Sequence, residues 1–436
     1  MSDTTLSAPV VASLASEDDS GWSSSDRVTR NDSALTITGS GDSGALLALF
    51  EDRDGNSQLD ENEQIGTALV TTAGVWSCDI SLSEGSHTLV ARQTLADVTS
   101  SSSGSLVITV DQSAPDMTGG PDLNATSDSG RVSYDDITNV TSGLTVSGSG
   151  AVAGTLLTLF NDTNWNELVD SGEWVSSLAI TTAGAWSMTG VVLTEGTYAL
   201  RTIQSDLAGN NSRGSDILSL TVDTAAPQAI TAMRLDGGDD SGVSDSDGIT
   251  SRSSELTLMG RGEEGALVTL TNAVSGSVLA TMSVQDGEWH GDIALATGSY
   301  TLAAVQTDRA GNQSQAATLL VTVDSSSPAA PSLPDLESAG DSGVSNSDNI
   351  TSATTALTLQ GSGEAGAIVT LMDGGEWLGT VAVTAEGRWS SSLTPGEKDL
   401  HIRAYQTDLA GNNSGMSAVL DMTVDRSAPS TPGNLY

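Results

Sequence analysis

The feature that most constrains this chain is a short string that returns at a fixed spacing. Val110-Asp111, with Pro115 four residues on, comes back as Val222-Asp223 with Pro227, Val323-Asp324 with Pro328 and Val424-Asp425 with Pro429. The aspartates lie 112, 101 and 101 residues apart. That period is the size of one small domain, so the 436 residues divide into tandem units and not one large core. Domains are expected at 1–111, 112–223, 224–324 and 325–425, with 426–436 copying the start of a following repeat. The sequence is therefore expected to be part of a longer protein.

Within each repeat the signals keep one order. Asp-Ser-Gly is followed by a second aspartate seven positions on, giving the pairs Asp19 and Asp26, Asp128 and Asp135, Asp240 and Asp247, and Asp341 and Asp348. An alternating run ending in glycine comes next: Leu35 to Gly39, Leu144 to Gly148, Leu256 to Gly260 and Leu357 to Gly361. Period two with β-branched residues predicts a half-buried strand. Trp76, Trp186, Trp289 and Trp389 recur at one register and are read as core anchors.

Asp206-Leu207-Ala208-Gly209-Asn210 is matched at Asp308 to Asn312 and Asp408 to Asn412, and its Gly-Asn step suits a turn needing positive φ. The first repeat departs here, reading Gln93 to Val98 without Ala-Gly-Asn. Short strands with turn signals and no helical period predict an all-β chain of four tandem immunoglobulin-like β-sandwich domains in an extended rod. At ~40 Å per sandwich, from strands of about seven residues and their loops, the rod would reach ~160 Å.

Acidic residues outnumber basic ones 56 to 15, for a formal charge of -41. Such a surface repels phosphate backbones and anionic headgroups, so neither nucleic acid nor a membrane is an expected partner, and divalent cations are. No apolar run of 18 residues is present, so no membrane insertion is expected. Met1 to Thr4 carry no signal peptide, so export would need a signal elsewhere. The single cysteine, Cys78, shares a strand face with Trp76 and is expected to be a buried, inert thiol.

The sharpest chemistry lies in a loop inserted after the third strand of the first two repeats. Asp52, Asp54, Asn56, Asp60 and Glu63 occupy positions 1, 3, 5, 9 and 12 of an EF-hand-type loop, with the Gln58 carbonyl at 7. Asp162, Asn164, Asn166, the Leu168 carbonyl, Asp170 and Glu173 repeat the order in domain 2. Calcium is the cation this oxygen set fits, with glutamate able to bind through both oxygens. The glycine of the first loop falls at position 4 and not 6, which makes the turn a variant. The second loop has fewer carboxylates and is expected to bind more weakly. Domains 3 and 4 have short connections here, around Asn272 to Ser277 and Asp373 to Gly375, and are expected to bind nothing there.

Sandwich topology suggests a second set of calcium sites at the joints. The loop between the first two strands and the end of the last strand share the pole that faces the next domain, whose last turn lies at its opposite pole. The first joint would gather Asp19, Asp26, Asp111 and Asp206, the second Asp128, Asp135, Asp223 and Asp308, and the third Asp240, Asp247, Asp324 and Asp408. Asp341, Asp348 and Asp425 would form a half-site toward a following repeat. The alternative is that these aspartates cap turns by accepting bonds from nearby amides.

The Val-Asp linkers, Asp-Ser-Gly stretches and Asp-x-Ala-Gly-Asn turns resemble the bacterial immunoglobulin-like repeats of giant type I secreted adhesins of the RTX kind, such as the large Salmonella non-fimbrial adhesin. The resemblance implies export through a type I system, display on the bacterial cell surface, and extender domains stiffened by calcium at their junctions.

The expected function is a calcium-rigidified spacer that projects an adhesive tip in cell adhesion or biofilm formation, acting as a monomer whose partners are adjacent repeats of the same parent chain. The alternative is a module that binds a host glycan or protein through an exposed aromatic, with Trp22, Trp165, Trp174 and Trp377 outside the core register as candidates. An enzyme is not expected. His87, His290 and His401 are scattered, and no nucleophile stands beside a base.

Overall fold

The computed structural model describes residues 6–431 and 433. Residues 1–5, read above for a signal peptide, and residues 432 and 434–436 of the expected following repeat lie outside the described residues. The described chain is built of strands and turns and contains no helix. It divides into two compact units, Met1–Thr224 and Ala225–Tyr436, each holding two of the repeats.

The first domain sets the pattern with nine strands: β1 (Val10–Leu14), β2 (Val28–Thr29), β3 (Leu35–Ser40), β4 (Leu46–Glu51), β5 (Gln64–Leu69), β6 (Val75–Ile80), β7 (Gly85–Leu95), β8 (Val98–Thr99) and β9 (Leu106–Val110). They form a small sheet, β1-β3-β6, and a large one, β2-β9-β7-β4-β5, with β8 added to β7. The other three domains repeat both sheets without the β8 addition. That addition is where the first repeat lost its Ala-Gly-Asn. Ala96 (φ 47°) and Asp97 (φ 66°) are both left-handed, as a two-residue turn between paired strands demands.

The predicted strands appear as Leu35–Ser40, Leu144–Ala151, Leu256–Arg261 and Leu357–Ser362. Their glycines face the recurring tryptophans: Gly39 pairs with Trp76, Gly148 with Trp186, Gly260 with Trp289 and Gly361 with Trp389. A Cβ on any of these glycines would stand 2.4 to 2.8 Å from the partner indole. The indole thus lies flat over a bare backbone, and burying that large surface anchors each core. Each domain has its own core cluster between its two sheets. Cys78 belongs to the first, and burial followed by the charge of Asp79 pushes its thiol above the usual range.

One crossing positions the acids. After β1 the chain leaves the small sheet and enters the large one as β2, parallel to β9, with Thr29 opposite Val110. The same parallel pairing occurs in the other domains. The crossing segment carries the Asp-Ser-Gly pair. Because β2 runs alongside β9, the aspartate that follows β9 arrives at the same pole, where the Asp111 amide donates to Thr29 O at 2.9 Å.

Candidate functional site

The inserted loops sit on the outer face of the large sheets. Phe50 and Val90 are fully buried but stand outside the core cluster, on the face away from the small sheet. The equivalent Thr271 and Met372 of domains 3 and 4, which lack the insertion, are only half-buried. The loop from Asp52 to Glu63 is therefore the cover over Phe50, and the loop from Asp162 to Glu173 covers Phe160.

Both loops close in the same way. Glu63 accepts the amides of Arg53 and Asp60, each at 3.1 Å, through its two oxygens. Glu173 accepts those of Thr163 at 2.9 Å and Asp170 at 3.1 Å. Positions 4, 6 and 11 all take positive φ: Gly55 at 77°, Ser57 at 56° and Asn62 at 68°, against Trp165 at 63°, Glu167 at 61° and Gly172 at 91°. The glycine at position 4 therefore answers an additional left-handed residue, while position 6 keeps the left-handed turn without a glycine.

In the first loop one oxygen each of Asp52, Asp54 and Glu63 lies within 4.8 Å of the others. The Asn56 side-chain amide is 2.7 Å from Asp54 and 2.8 Å from Asp60, so a fourth carboxylate, Asp60, shares a single donor with Asp54. Asp52 Oδ2 accepts the Ser57 amide at 3.1 Å, whereas Asp52 Oδ1 is buried with no hydrogen-bond partner among the described residues. A buried carboxylate oxygen without a donor is costly, and a hard cation is one group that would satisfy it. The Gln58 side chain is turned away, onto Arg92.

The second loop differs at position 1. Asp162 is fully buried, and Arg201 Nε donates to its Oδ2 at 2.8 Å. Asp162 Oδ1 accepts the Asn166 amide at 3.1 Å, so neither oxygen lacks a donor. Side-chain bonds from Asn164 and Asn166 hold Asp170 below the usual carboxylate range, and the Thr163 hydroxyl does the same for Glu173. Leu168 has its amide on Asn166 Oδ1 at 2.8 Å.

At the poles the first aspartate of each pair has the same geometry four times. Asp19, Asp128, Asp240 and Asp341 are 4 to 5% exposed. Their Oδ2 atoms accept the amides of Arg27, Asp136, Gly248 and Asn349, eight residues on, at 3.0 to 3.2 Å. Their Oδ1 atoms are buried without a hydrogen-bond partner among the described residues. Burial, partly offset by those amides, raises the carboxyls of Asp19, Asp128 and Asp240, and the negative charges of Asp26, Asp135 and Asp247 add to it.

The second aspartates and those ending the last strands cap turns. Asp26, Asp135, Asp247 and Asp348 each accept the amide two residues on. Asp111, Asp324 and Asp425 do likewise. Asp223 donates its amide to Thr138 O at 2.8 Å. Asp206, Asp308 and Asp408 each receive two bonds from the asparagine four residues on, one from its amide and one from its side chain. Among the described residues no three acids at a pole come as close as Asp52, Asp54 and Glu63 do.

The joints inside the two units use residues that the sequence reading passed over. In the first, the Ser20 hydroxyl donates to Ala208 O at 2.7 Å and the Asn210 side chain donates to Asp111 O at 2.7 Å. In the second unit Ser241 donates to Ala410 O at 2.6 Å and Asn412 to Asp324 O at 2.7 Å. The glycine of Asp-Ser-Gly is what permits this approach. A Cβ on Gly21 would fall 1.9 Å from Leu207 O, and one on Gly242 2.1 Å from Leu409 O. The clue lies in the recurrence of all three letters of Asp-Ser-Gly, and not of the acid alone.

The non-register tryptophans are exposed: Trp22 42%, Trp165 67%, Trp174 62% and Trp377 63%. Trp165 borders a groove of about 390 Å³ with Asn161, Thr197, Tyr198 and Ser219. His87 is buried, with Nδ1 2.6 Å from Glu51 Oε1 and Nε2 2.7 Å from Ser83 O. Burial raises the Glu51 carboxyl, but its bonds to His87 and Arg53 outweigh this and leave it low.

A family model described as "Bacterial Ig-like domain" matches residues 5–112, 116–224, 227–325 and 327–426. No curated protein matches the chain. Among solved structures, the ICAM-5 D1-D4 ectodomain fragment is 16% identical, with 92% of this chain and 98% of that one covered at a TM-score of 0.30. The chicken CNTN1 FN1-FN3 domains are 11% identical, covering 73% of this chain and 99% of that one at 0.28. A biofilm associated protein BSP domain is 12% identical, with 98% of each covered at 0.17. Scores this low carry no functional argument.

Proposed function

The chain belongs to the bacterial Ig-like domain family, and from that premise we propose that it is a spacer segment of a bacterial surface adhesin, stiffened by calcium. The observation that carries this reading is the fourfold recurrence of a buried aspartate with one oxygen unpartnered, at the pole of each domain where its last strand ends. Asp19 and Asp240 would hold the cation in the joints inside the two units, with Asp26 and Asp247 beside them. Asp128 and Asp341 would serve in the same way at the poles of domains 2 and 4. The loop from Asp52 to Glu63 would hold a further ion over the outer face of domain 1.

A bound calcium supplies positive charge to Asp19, Asp128 and Asp240, which burial and neighbouring acids otherwise push toward protonation. The joints do not depend on it alone. The bonds from Ser20 and Asn210, and from Ser241 and Asn412, already fix neighbouring domains in register. Calcium would thus tighten a joint that is already formed. Display outside a bacterial cell, on a type I secreted RTX-type adhesin, is the setting proposed, since extracellular modules bind calcium at the sub-millimolar to millimolar level that such sites need.

Small-angle scattering of the whole chain in calcium and in chelator tests this. The maximum dimension is expected to shorten, and its distribution to broaden, on chelation; an unchanged profile sinks the brace. A second reading, glycan or host-protein binding, is favoured by the groove beside exposed Trp165. Binding on a glycan array that Trp165→Ala abolishes would raise it above the first.

A further inference from the structure

We propose that Arg201 is a built-in counter-ion that replaces a divalent cation in the domain-2 loop, so that the two inserted loops, alike in sequence, differ in kind: the first responds to calcium and the second is closed by the protein itself. The inference rests on the reading of the first loop as a calcium site.

The two loops leave equivalent strands. Phe50 at the end of β4 pairs with Val90, and Phe160 in the matching strand Leu156–Asn161 pairs with Arg201. Val90 and Arg201 are therefore the same place in the sandwich, on the outer face beneath the loop. Position 1 is held identically in both: Asp52 N donates to Thr88 O and Asp162 N to Ala199 O, each at 2.9 Å. What differs is the residue underneath. Val90 has nothing to offer a carboxylate, and Asp52 Oδ1 is left buried and unpartnered. Arg201 lies along Asp162, with Nε on Oδ2 at 2.8 Å and its Nη1 on the Ser215 carbonyl, in a side chain 13% exposed against an aspartate at 0%.

A buried carboxylate that already has a paired guanidinium gains little from a second cation, and the arginine's charge repels one at close range. The rest of the second loop follows suit. It carries Asn164 where the first has Asp54, so one carboxylate fewer faces the would-be metal. Removing Arg201 while keeping Asp162 would leave a buried charge unpaired, which is strongly destabilising, and that debt is one a calcium ion could then settle.

The test uses the full chain and terbium, a calcium stand-in whose emission is sensitised by a nearby indole. Trp165, at position 4 of the second loop, reports that loop alone, and Trp165→Phe identifies its signal. In wild type at least tenfold more calcium is expected to be needed to quench the Trp165-sensitised terbium signal, after correction for terbium affinity, than calorimetry gives for calcium at the site lost in Asp52→Asn. Arg201→Val is expected to lower the terbium midpoint at least tenfold, to melt early in chelator and to recover in calcium. A wild-type Trp165 signal that already saturates with the first loop and does not move in Arg201→Val overturns the proposal. If Arg201→Val does not fold in chelator or in calcium, Val90→Arg decides. A tenfold or greater loss at the first loop supports the counter-ion, and an unchanged affinity refutes it. Failure of the underlying reading looks different: Asp52→Asn would then remove no calcium site at all.

Discussion

The poles and the inserted loops both collect acids, but they do so under different control. At the poles the arrangement is the same in all four domains, down to the oxygen that lacks a partner. There the fold dictates the chemistry. After the first strand the chain crosses between sheets and pairs in parallel with the last strand, and in each domain the crossing segment folds over a carboxylate that accepts the amide eight residues on. In the loops the ligand order recurs while the electrostatics diverge, because a residue far off in sequence lies beneath each one. A motif can therefore be copied with its local spacing intact while a single change on a neighbouring strand alters the electrostatics beneath it.

The largest effect that would break this comparison is at position 1 of the first loop. Asp52→Asn is expected to weaken calcium binding there about a hundredfold, since it removes a charged ligand from a small oxygen cage. The number of pole sites should not change. Calorimetric titration of the variant against wild type checks both points, and a loss spread over several sites would mean that loop and poles are one coupled system.

Glycines at the poles come next. Gly242→Ala places a Cβ 2.1 Å from Leu409 O at a φ of 113°, while Gly343, with φ 132°, meets nothing within 4 Å. Both substitutions strain the backbone, but only the first also obstructs a joint. Gly242→Ala should cost about 1–3 kcal/mol more than Gly343→Ala in the melting of the second unit, the scale of forcing an extra methyl into a packed contact, and should broaden its scattering profile. Equal effects of the two would show that the close approach at Ser241 to Gly242 contributes nothing.

Much of the architecture was open to reading because it lies in local spacing. The strand ending in glycine and the tryptophan 28 to 38 residues on gave the core, and the structure adds why the two go together: Gly39 opposite Trp76 leaves no room for a side chain. The positions of the acids lie in the spacing, but their hydrogen-bond partners do not: Asp206 and Asp408 accept bonds at both oxygens from Asn210 and Asn412, whereas Asp19 and Asp240 each keep one oxygen without a partner among the described residues. Partner geometry of that kind has no signature in spacing. Arg201 was hidden for a related reason. It lies 39 residues from Asp162, and only laying the two repeats side by side, Leu89-Val90 against Leu200-Arg201, would have exposed the difference.

The smallest expected effect separates the two ways of satisfying a buried carboxylate, and it changes sign with conditions. Asp240 is raised by burial above all, then by the charges of Asp247 and Asp245, against the Gly248 and Ile249 amides. A carboxyl raised in the folded state favours folding below its unfolded pKa, and that contribution is lost as pH rises through the folded value. In chelator at neutral pH the ionised Asp240 is therefore a burden, and Asp240→Asn should stabilise the second unit by about 1 kcal/mol, the scale of an unsatisfied buried polar group. As pH falls through the raised pKa, wild type protonates Asp240 and the advantage of the variant should vanish. In saturating calcium at neutral pH the order should reverse, because wild type alone presents a charged ligand. Melting curves of the two proteins in chelator and in calcium, from neutral pH down to the carboxylate range, give both signs. An Asp240→Asn variant that is destabilised in chelator would show that the unpartnered oxygen costs the fold nothing, and would leave the fourfold geometry of the poles as turn capping alone.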